Sequence, residues 1–437
     1  MTTRASAPAI SEQTVRDLSR RAGEPDWLLR RRLDAWRTFE AMSMPTGFEE
    51  EWRRTDLSAF DLDRALSGER AGRRGGLRLP VELTSPSGAD GLLLQQDGVT
   101  TERYLSPALE GRIAFADLHS AARDYPGLVR EHLHSLVLPT DWKLQGLQAA
   151  LWSGGAFVHI PRGVEVALPL RHVFAGATPG ASLFPHLLII AEEESSVVVI
   201  QETLSTNGRQ QSLVSGAVEV VARPHARVQY FDIQRWGQGT FNLSTVRARL
   251  DQGAQLTAGM IGLGGRLTKA RVEVALAGEG SQTNLLGVSY GDGSQHFDYT
   301  TLQDHIAPRT TSDLLYKAAL AGQASEVWYG TVRIHKGASG SDANQTSRNL
   351  LLSDHAKAAP IPVLEIEQYD ILRCSHGATA GPLEEDQLFY LESRGIEHEA
   401  AERLLVQAFF RQVFDRIPDA SVARRLEKAL ARKMARR

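Results

Sequence analysis

The sequence predicts a mainly β chain, a parallel β-helix held between an N-terminal and a C-terminal helical region. Three observations predict it. From about Gly155, short runs rich in β-branched residues follow one another: Phe157–Ile160, Val164–Leu170, Leu187–Ala191, Val197–Ile200, Ala217–Val221 and Arg227–Asp232. Turn-like tokens separate such runs at Arg162-Gly163-Val164, Glu194-Ser195-Ser196, Pro224-His225-Ala226, Gln252-Gly253-Ala254, Glu279-Gly280-Ser281 and Lys336-Gly337-Ala338. They recur roughly every 30 residues, the period of a solenoid unit. One interval is doubled, with its midpoint near Ile306–Arg309. Third, no helical crossover is visible from about residue 155 to 375, and an α/β fold needs one between parallel strands. A β-sandwich is the runner-up architecture. The expected regions are a mostly helical 1–150, a β-helix core over 151–381 and a helical 382–437.

The N-terminal residues 1–10 read as a polar tail. Asp26–Met42 reads as a docking helix with Leu29, Leu33 and Trp36 on one stripe and solvated arginines around it. Pro45-Thr46-Gly47 ends that stretch, 62–80 reads as a loop, and Ala108–Leu138 mixes helix and loop. His132 and His134 lie two apart, about 200° round on a helix, so they share no face and no metal is expected there. The β-helix then needs caps, because its two ends are bare strand edges. The two helical regions are the natural candidates.

After Pro382 the pattern is helical. Leu383–Ser393 closes at Gly395, a C-terminal glycine. Glu397–Ile417 carries Ala401, Leu404, Leu405, Ala408, Phe409 and Val413 on one broad face. Pro418 breaks it, and Asp419–Arg437 is a last basic helix with Val422, Leu426 and Leu430 in line. The apolar faces exceed what a cap needs, which points to a partner groove.

Composition excludes several classes. A formal net charge of -3 gives no basic field for nucleic acid or an anionic membrane. The longest apolar runs are far too short to span a bilayer, and MTTRASAPAISEQT has no apolar core of a secretory signal. A single cysteine excludes an intramolecular disulfide and any CxxC metal knuckle, and fits a reducing cytoplasm. There is no GxxxxGK[ST], HExxH or GxSxG, and neither Gly262-Leu263-Gly264-Gly265 nor Gly291-Asp292-Gly293 completes a dinucleotide fingerprint.

The chemistry is expected in Ile371–Gly395, where the texture turns from β-branched and glycine-rich to helical and charged. Cys374 and His376 lie there at i and i+2, on one side of a strand. A thiol beside an imidazole can be a thiolate at neutral pH, a nucleophile or a soft metal ligand. The plain alternative is an inert buried cysteine with a hydrogen-bonded histidine. One cysteine cannot hold a four-thiolate cluster, so any iron–sulfur or zinc site on Cys374 borrows ligands from His376, carboxylates or another chain. A polysaccharide-acting β-helix would need aligned carboxylates, and Asp292, Asp298, Asp304 and Asp313 show no such phase.

Several runs carry a resemblance. Trp52–Leu57 (WRRTDL), Phe157–Leu170 (FVHIPRGVEVALPL), Thr311–Lys317 (TSDLLYK), Asn344–Asp354 (NQTSRNLLLSD), Arg373–Gly381 (RCSHGATAG) and Asp386–Gly395 (DQLFYLESRG) resemble the signature runs of the SufB/SufD family. The resemblance spreads over nearly the whole chain and implies a right-handed parallel β-helix between helical ends. Within the family the chain resembles the SufD form. SufB usually has Glu-His-Glu where this chain has Ser375-His376-Gly377, and a sulfur-accepting cysteine near the stretch that here reads Ser347-Arg348-Asn349. The resemblance implies a non-catalytic scaffold subunit of an iron–sulfur cluster assembly complex. It would pair with SufB through the β-helix and with the ATPase SufC through the C-terminal helices, and take part in iron acquisition. A transient iron–sulfur cluster would form at the SufB interface, with Cys374 and His376 facing it as metal ligands. Two alternatives accompany this reading: a purely structural brace for SufB, and a homodimer when the chain is alone.

Overall fold

The computed structural model describes residues 10–67, 76–206 and 208–435. Residues 1–9 of the expected tail and 68–75 of the expected loop lie outside the described residues. The chain opens with α1 (Glu12–Ala22) and α2 (Asp26–Ala41). In α2, Leu28, Leu33, Ala35, Trp36 and Phe39 are buried, so the stripe falls near where periodicity sets it. Its arginines are not all solvated. Arg32 is fully buried and forms a two-pronged pair with Glu24, Nε to Oε2 at 2.8 Å and Nη2 to Oε1 at 2.6 Å. Its third donor reaches the Ala150 carbonyl at 3.0 Å, and the guanidinium lies 4.1 Å over the Trp152 ring. Only a planar fork meets all of these partners at once.

Next come α3 (Leu62–Ser67), where a loop was expected, and α4 (Val81–Thr84). The strands β1 (Gly91–Gln96), β2 (Val99–Leu105) and β3 (Ala114–Asp117) precede α5 (Leu118–Asp124), α6 (Pro126–His132) and α7 (Lys143–Leu151). Among the described residues seventeen strands follow with no helix between them. They are β4 (Gly155–Ile160), β5 (Leu170–Gly176), β6 (His186–Ala191), β7 (Ser196–Ser205), β8 (Ser212–Val214), β9 (Ala217–Ala222), β10 (Arg227–Arg235), β11 (Thr240–Leu250) and β12 (Gln255–Gly262). After them come β13 (Leu267–Leu276), β14 (Gln282–Gly291), β15 (His296–His305), β16 (Thr311–Leu320), β17 (Ser325–Ile334), β18 (Asp342–Leu351), β19 (Lys357–Ile366) and β20 (Arg373–Pro382). Val164–Leu170 is not a strand. Pro169 lacks an N–H for a ladder, and β5 starts one residue after it.

From β4 on, strands pair in parallel and alternate between two sheets, with the short β8 beside β11 in sheet B, which makes a flattened β-solenoid of eight coils. Sheet A runs β2-β1-β5-β7-β10-β12-β14-β16-β18-β20, and sheet B runs β19-β17-β15-β13-β11-β9-β6-β4-β3. Coils repeat after 26 residues at the shortest, Phe241 opposite Leu267, and 32 at the longest, Ser325 opposite Lys357. One corner shows why the turn tokens recur. Gly163, Glu194, His225, Gly253, Gly280, Arg309 and Gly340 occupy the left-handed region in successive coils. Each donates its N–H to a carbonyl in the turn of the next coil, as Gly253 does to Glu279 and Gly280 to Pro308. Arg309 fills the doubled interval. Glycine takes this conformation without steric cost, and the three exceptions disguise the repeat.

The interior holds the main apolar core, with columns such as Leu285–Leu314 on sheet A and Val218–Val246–Val272 on sheet B. The N-terminal helices pack on the outer face of sheet B, through Trp36, Leu147 and Trp152 against Phe157, Leu188 and Phe241. The C-terminal helices α8 (Glu385–Ser393), α9 (His398–Phe414) and α10 (Ala420–Met434) complete the chain. Val406, Phe410, Val413, Leu426 and Leu430 pack on Phe231, Ile261, Leu286 and Leu315, the outer face of sheet A. The expectation that these helices cap the end of the solenoid is therefore corrected: their apolar partners lie on the outside of the sheet. The strands β1–β3 close the other end, and the β19/β20 end stays open.

Candidate functional site at the open end of the solenoid

Three of the singled-out runs lie side by side. Thr311–Lys317 is on β16, Asn344–Leu351 is β18 from its third residue on, and Arg373–Gly381 is on β20, three neighbouring strands of sheet A. The register sets Leu285, Leu314, Gln345 and His376 in one column, and Thr283, Ser312, Ala343 and Cys374 in the next. Leu285 and Leu314 belong to the core between the sheets, so Cys374 and His376 occupy interior positions of the last coil. Two residues apart on one strand, they share that face, as expected. His376 is nevertheless exposed, because no further coil covers it. Cys374 is half-buried against Val332, Ile334, Ala338, Ala343, Leu364 and Ile371.

The thiolate expectation is corrected. Burial pushes the Cys374 thiol above its ordinary value, and no positive neighbour offsets it. Among the described residues neither side chain has a hydrogen bond or ion pair. The pair is an uncommitted thiol and imidazole at a bare strand edge.

The backbone at this edge is also uncommitted. The Arg373 N–H points back to Ser341 on the β18 side. In a parallel ladder alternate residues point opposite ways. The N–H groups of Cys374, His376, Ala378 and Ala380 therefore face the open side. In β19 the same parity sends Lys357 back to Ala324 and turns Pro360 and Pro362 toward the open side, where a missing N–H costs that strand nothing. One terminal strand is thus blunted by prolines and the other retains its donors.

Inside the last coils the core becomes polar, which the apolar runs did not foretell. His305 lies between Thr310 Oγ1 and Ser312 Oγ, both at 2.7 Å, and burial pushes it down to about 4, so it is neutral. Gln303 Nε2 donates to Ser312 Oγ at 2.6 Å. Glu326 is buried with Oε2 unpaired, and burial pushes its carboxyl up to about 8. On the outer face, Ser375 Oγ donates to Asn344 Oδ1 at 2.8 Å and Asn344 Nδ2 donates to Asp313 Oδ1 at 2.8 Å. Asp313 Oδ2 accepts from Arg416 at 2.8 Å. Lys317 Nζ donates to the Phe409 carbonyl at 2.7 Å and to Gln412 Oε1 at 2.6 Å. These links tie α9 and the residues after it to the strands that lead to Cys374.

The four aspartates of the carbohydrate alternative do not converge. Asp292 pairs with Lys433, Asp298 with Lys269, Asp304 with His335 and Asp313 with Arg416. The C-terminal helices keep an uncovered side. Phe389 and Tyr390 on α8 are 70% and 58% exposed, and Leu404 on α9 is 47% exposed. The apolar face foreseen on α9 is offset in the structure: Ala401, Val406, Phe410, Val413 and Phe414 are buried, and Leu404 and Ala408 look outward.

Comparison with known proteins places the chain by its sequence. Residues 173–409, more than half of the chain, match the family "SUF system FeS cluster assembly, SufBD core domain". The iron–sulfur cluster assembly protein SufB of Bacillus subtilis is 28% identical over 94% of this chain and 90% of its own length. The iron–sulfur cluster assembly protein SufD of the same organism is 27% identical over 98% of both chains. An iron–sulfur cluster assembly SufBD family protein of Staphylococcus epidermidis is 28% identical over 94% of this chain. A match of this extent, on a two-sheet parallel solenoid with helices at both termini, establishes that the chain belongs to the SufBD family of the SUF iron–sulfur cluster assembly system.

Proposed function

We propose that the chain is the SufD-type scaffold subunit of a cytoplasmic SUF complex and is not itself a catalyst. Its open solenoid end pairs with a SufB-type subunit, its C-terminal helices hold the ATPase SufC, and Cys374 and His376 lend ligands to a cluster in assembly. The observation that carries this is the last coil: an exposed imidazole and a half-buried thiol on an edge strand that keeps its outward N–H donors. Two soft ligands suit a cargo site, because a full ligand set would retain the cluster instead of releasing it. The partner supplies the remaining ligands. The uncovered face of α8 and α9 supports the SufC contact, and full-length coverage of a SufD relative, with Cys374-Ser375-His376-Gly377, supports the SufD assignment. The chain from Arg416 through Asp313 and Asn344 to Ser375 offers a short route from helix movement to Cys374.

The test is co-expression with SufB and SufC, anaerobic purification, and iron and sulfide analysis of wild type beside His376→Ala. Loss of iron and sulfide from an intact complex is the expected result. A normal cluster load in the mutant and in Cys374→Ser would make the chain a brace, with the chemistry left to SufB. Thiol labelling of Cys374 in the complex checks the route: its rate is expected to change when SufC hydrolyses ATP, and an unchanged rate disproves the coupling.

A further inference from the structure

Far from the open end, the described residues bring together His134, His186 and Glu219, with one ligand atom of each within 4.8 Å of the others. They come from the turn after α6, the first residue of β6 and the middle of β9. Glu219 Oε1 accepts the N–H groups of Leu136 at 2.7 Å and Val137 at 3.0 Å. Its Oε2 accepts the N–H of His134 at 2.7 Å and lies 2.8 Å from His186 Nε2. His134 is held in the left-handed region, φ 57°, an uncommon conformation for a residue with a Cβ. Its ring stands edge-on to the His186 ring, with centroids 4.7 Å apart. Both ring nitrogens of His134 are buried without a hydrogen-bond partner among the described residues. A buried polar atom left unpaired is costly, and a backbone held in a rare conformation to place such a ring is a second cost on the same residue. Nearby His132 takes no part; it lies against Glu131.

We propose that His134, His186 and Glu219 form a zinc site that pins the turn after α6 to the outer face of sheet B. Two imidazoles and one carboxylate are a zinc ligand set, with the fourth position left to water. The three peptide N–H groups keep the carboxylate in place once the ion replaces the His186 contact. Gln148 Nε2 donates to the Pro185 carbonyl at 3.3 Å and lies 3.3 Å from His186 Nδ1, and turning the amide over would trade the Pro185 contact for an acceptor to the N–H that a metal-bound histidine presents there. The histidine pair that sequence spacing rejects is thus replaced by a set assembled from three remote segments.

The test uses the full chain with Cys374→Ser and His376→Ala, so that the open end offers no competing ligands. After treatment with a chelator it is titrated with zinc sulfate, and zinc retained through gel filtration is measured beside the melting temperature. Retention of about one zinc per chain, with a rise in Tm of a few degrees, is expected. His134→Gly removes the ring and suits a positive φ, so the metal-free variant should melt no lower than its parent while losing both responses. If it does not fold, His134→Asn, also tolerant of that region, makes the same comparison. No zinc on the parent, or equal zinc on the variant, overturns the site. Ferrous iron titrated anaerobically should be held more weakly than zinc; equal or tighter retention overturns the zinc assignment.

Discussion

At the scale of single residues, two buried glutamates respond to pH in opposite senses. Burial alone would push the Glu24 carboxyl up, but the Arg32 charge and the hydrogen bonds from His119 and Arg32 outweigh it and hold the group at about 2, from an ordinary 4.5. A depressed acid stabilises the fold above its unfolded value, and that contribution fades as pH falls from 4.5 toward 2. It is on the order of 3 kcal/mol, at 1.36 kcal/mol per pKa unit. Urea unfolding of Glu24→Gln beside wild type should show a clear loss at pH 6 and convergence near pH 2. Among the described residues no cation acts on Glu326, and burial raises it from 4.5 to about 8. A raised acid binds its proton more tightly in the folded state, so stability falls as pH rises through that window. Glu326→Gln should remove this slope and leave the variant the more stable protein at pH 8 to 9. A variant less stable than wild type at pH 8 to 9, with the same slope, would mean that Glu326 has a cationic partner in solution.

At the scale of elements, α9 presents two faces of different worth. Phe410 is fully buried against sheet A, whereas Leu404 looks outward. Phe410→Ala should cost about 3–5 kcal/mol in chemical unfolding, the price of a large core truncation. Leu404→Ala should stay within about 0.5 kcal/mol. On the proposed SufC contact, only Leu404→Ala leaves a folded chain that binds SufC more weakly in pull-down. Which face of α9 turns inward was not legible in the sequence, because the helix is apolar on more than one side and the choice rests on Phe231, Ile261 and Leu286, far away in the chain. The solenoid itself was legible, because its corner imposes one backbone conformation per coil and leaves glycine in most of the turns. The strands β1–β3 went unread because GLLLQQ and AFAD are too short to show a period. The Cys374–His376 pair could be read from i, i+2 spacing. The His134 group could not, since no local pattern links residues 134, 186 and 219.

At the scale of the whole molecule, the two ends of the solenoid are treated differently, and this asymmetry leaves one end free to take a partner strand. The first coils are closed by β1–β3, and both outer faces are covered by helices, but the last coil exposes interior positions and strand donors. An unpaired edge of this kind recruits another strand. The β19 edge already carries Pro360 and Pro362 on its open side, so strand addition should run through β20. Ala378→Pro tests this with little damage to the fold, because the Ala378 N–H faces the open side and no bond to β18 is lost. Thr379→Pro is the control: its N–H points toward β18, so it removes a ladder hydrogen bond and should destabilise the last coil by about 1–3 kcal/mol. Ala378→Pro is expected to keep the wild-type melting temperature within a few degrees and to lose the complex with a SufB-type partner in light scattering. Without that partner, a homodimer of the wild-type chain through the same edge should likewise dissociate in the variant. If Ala378→Pro assembles as well as wild type, the β20 backbone is not the docking edge, and the association must rest on side chains of the last coil.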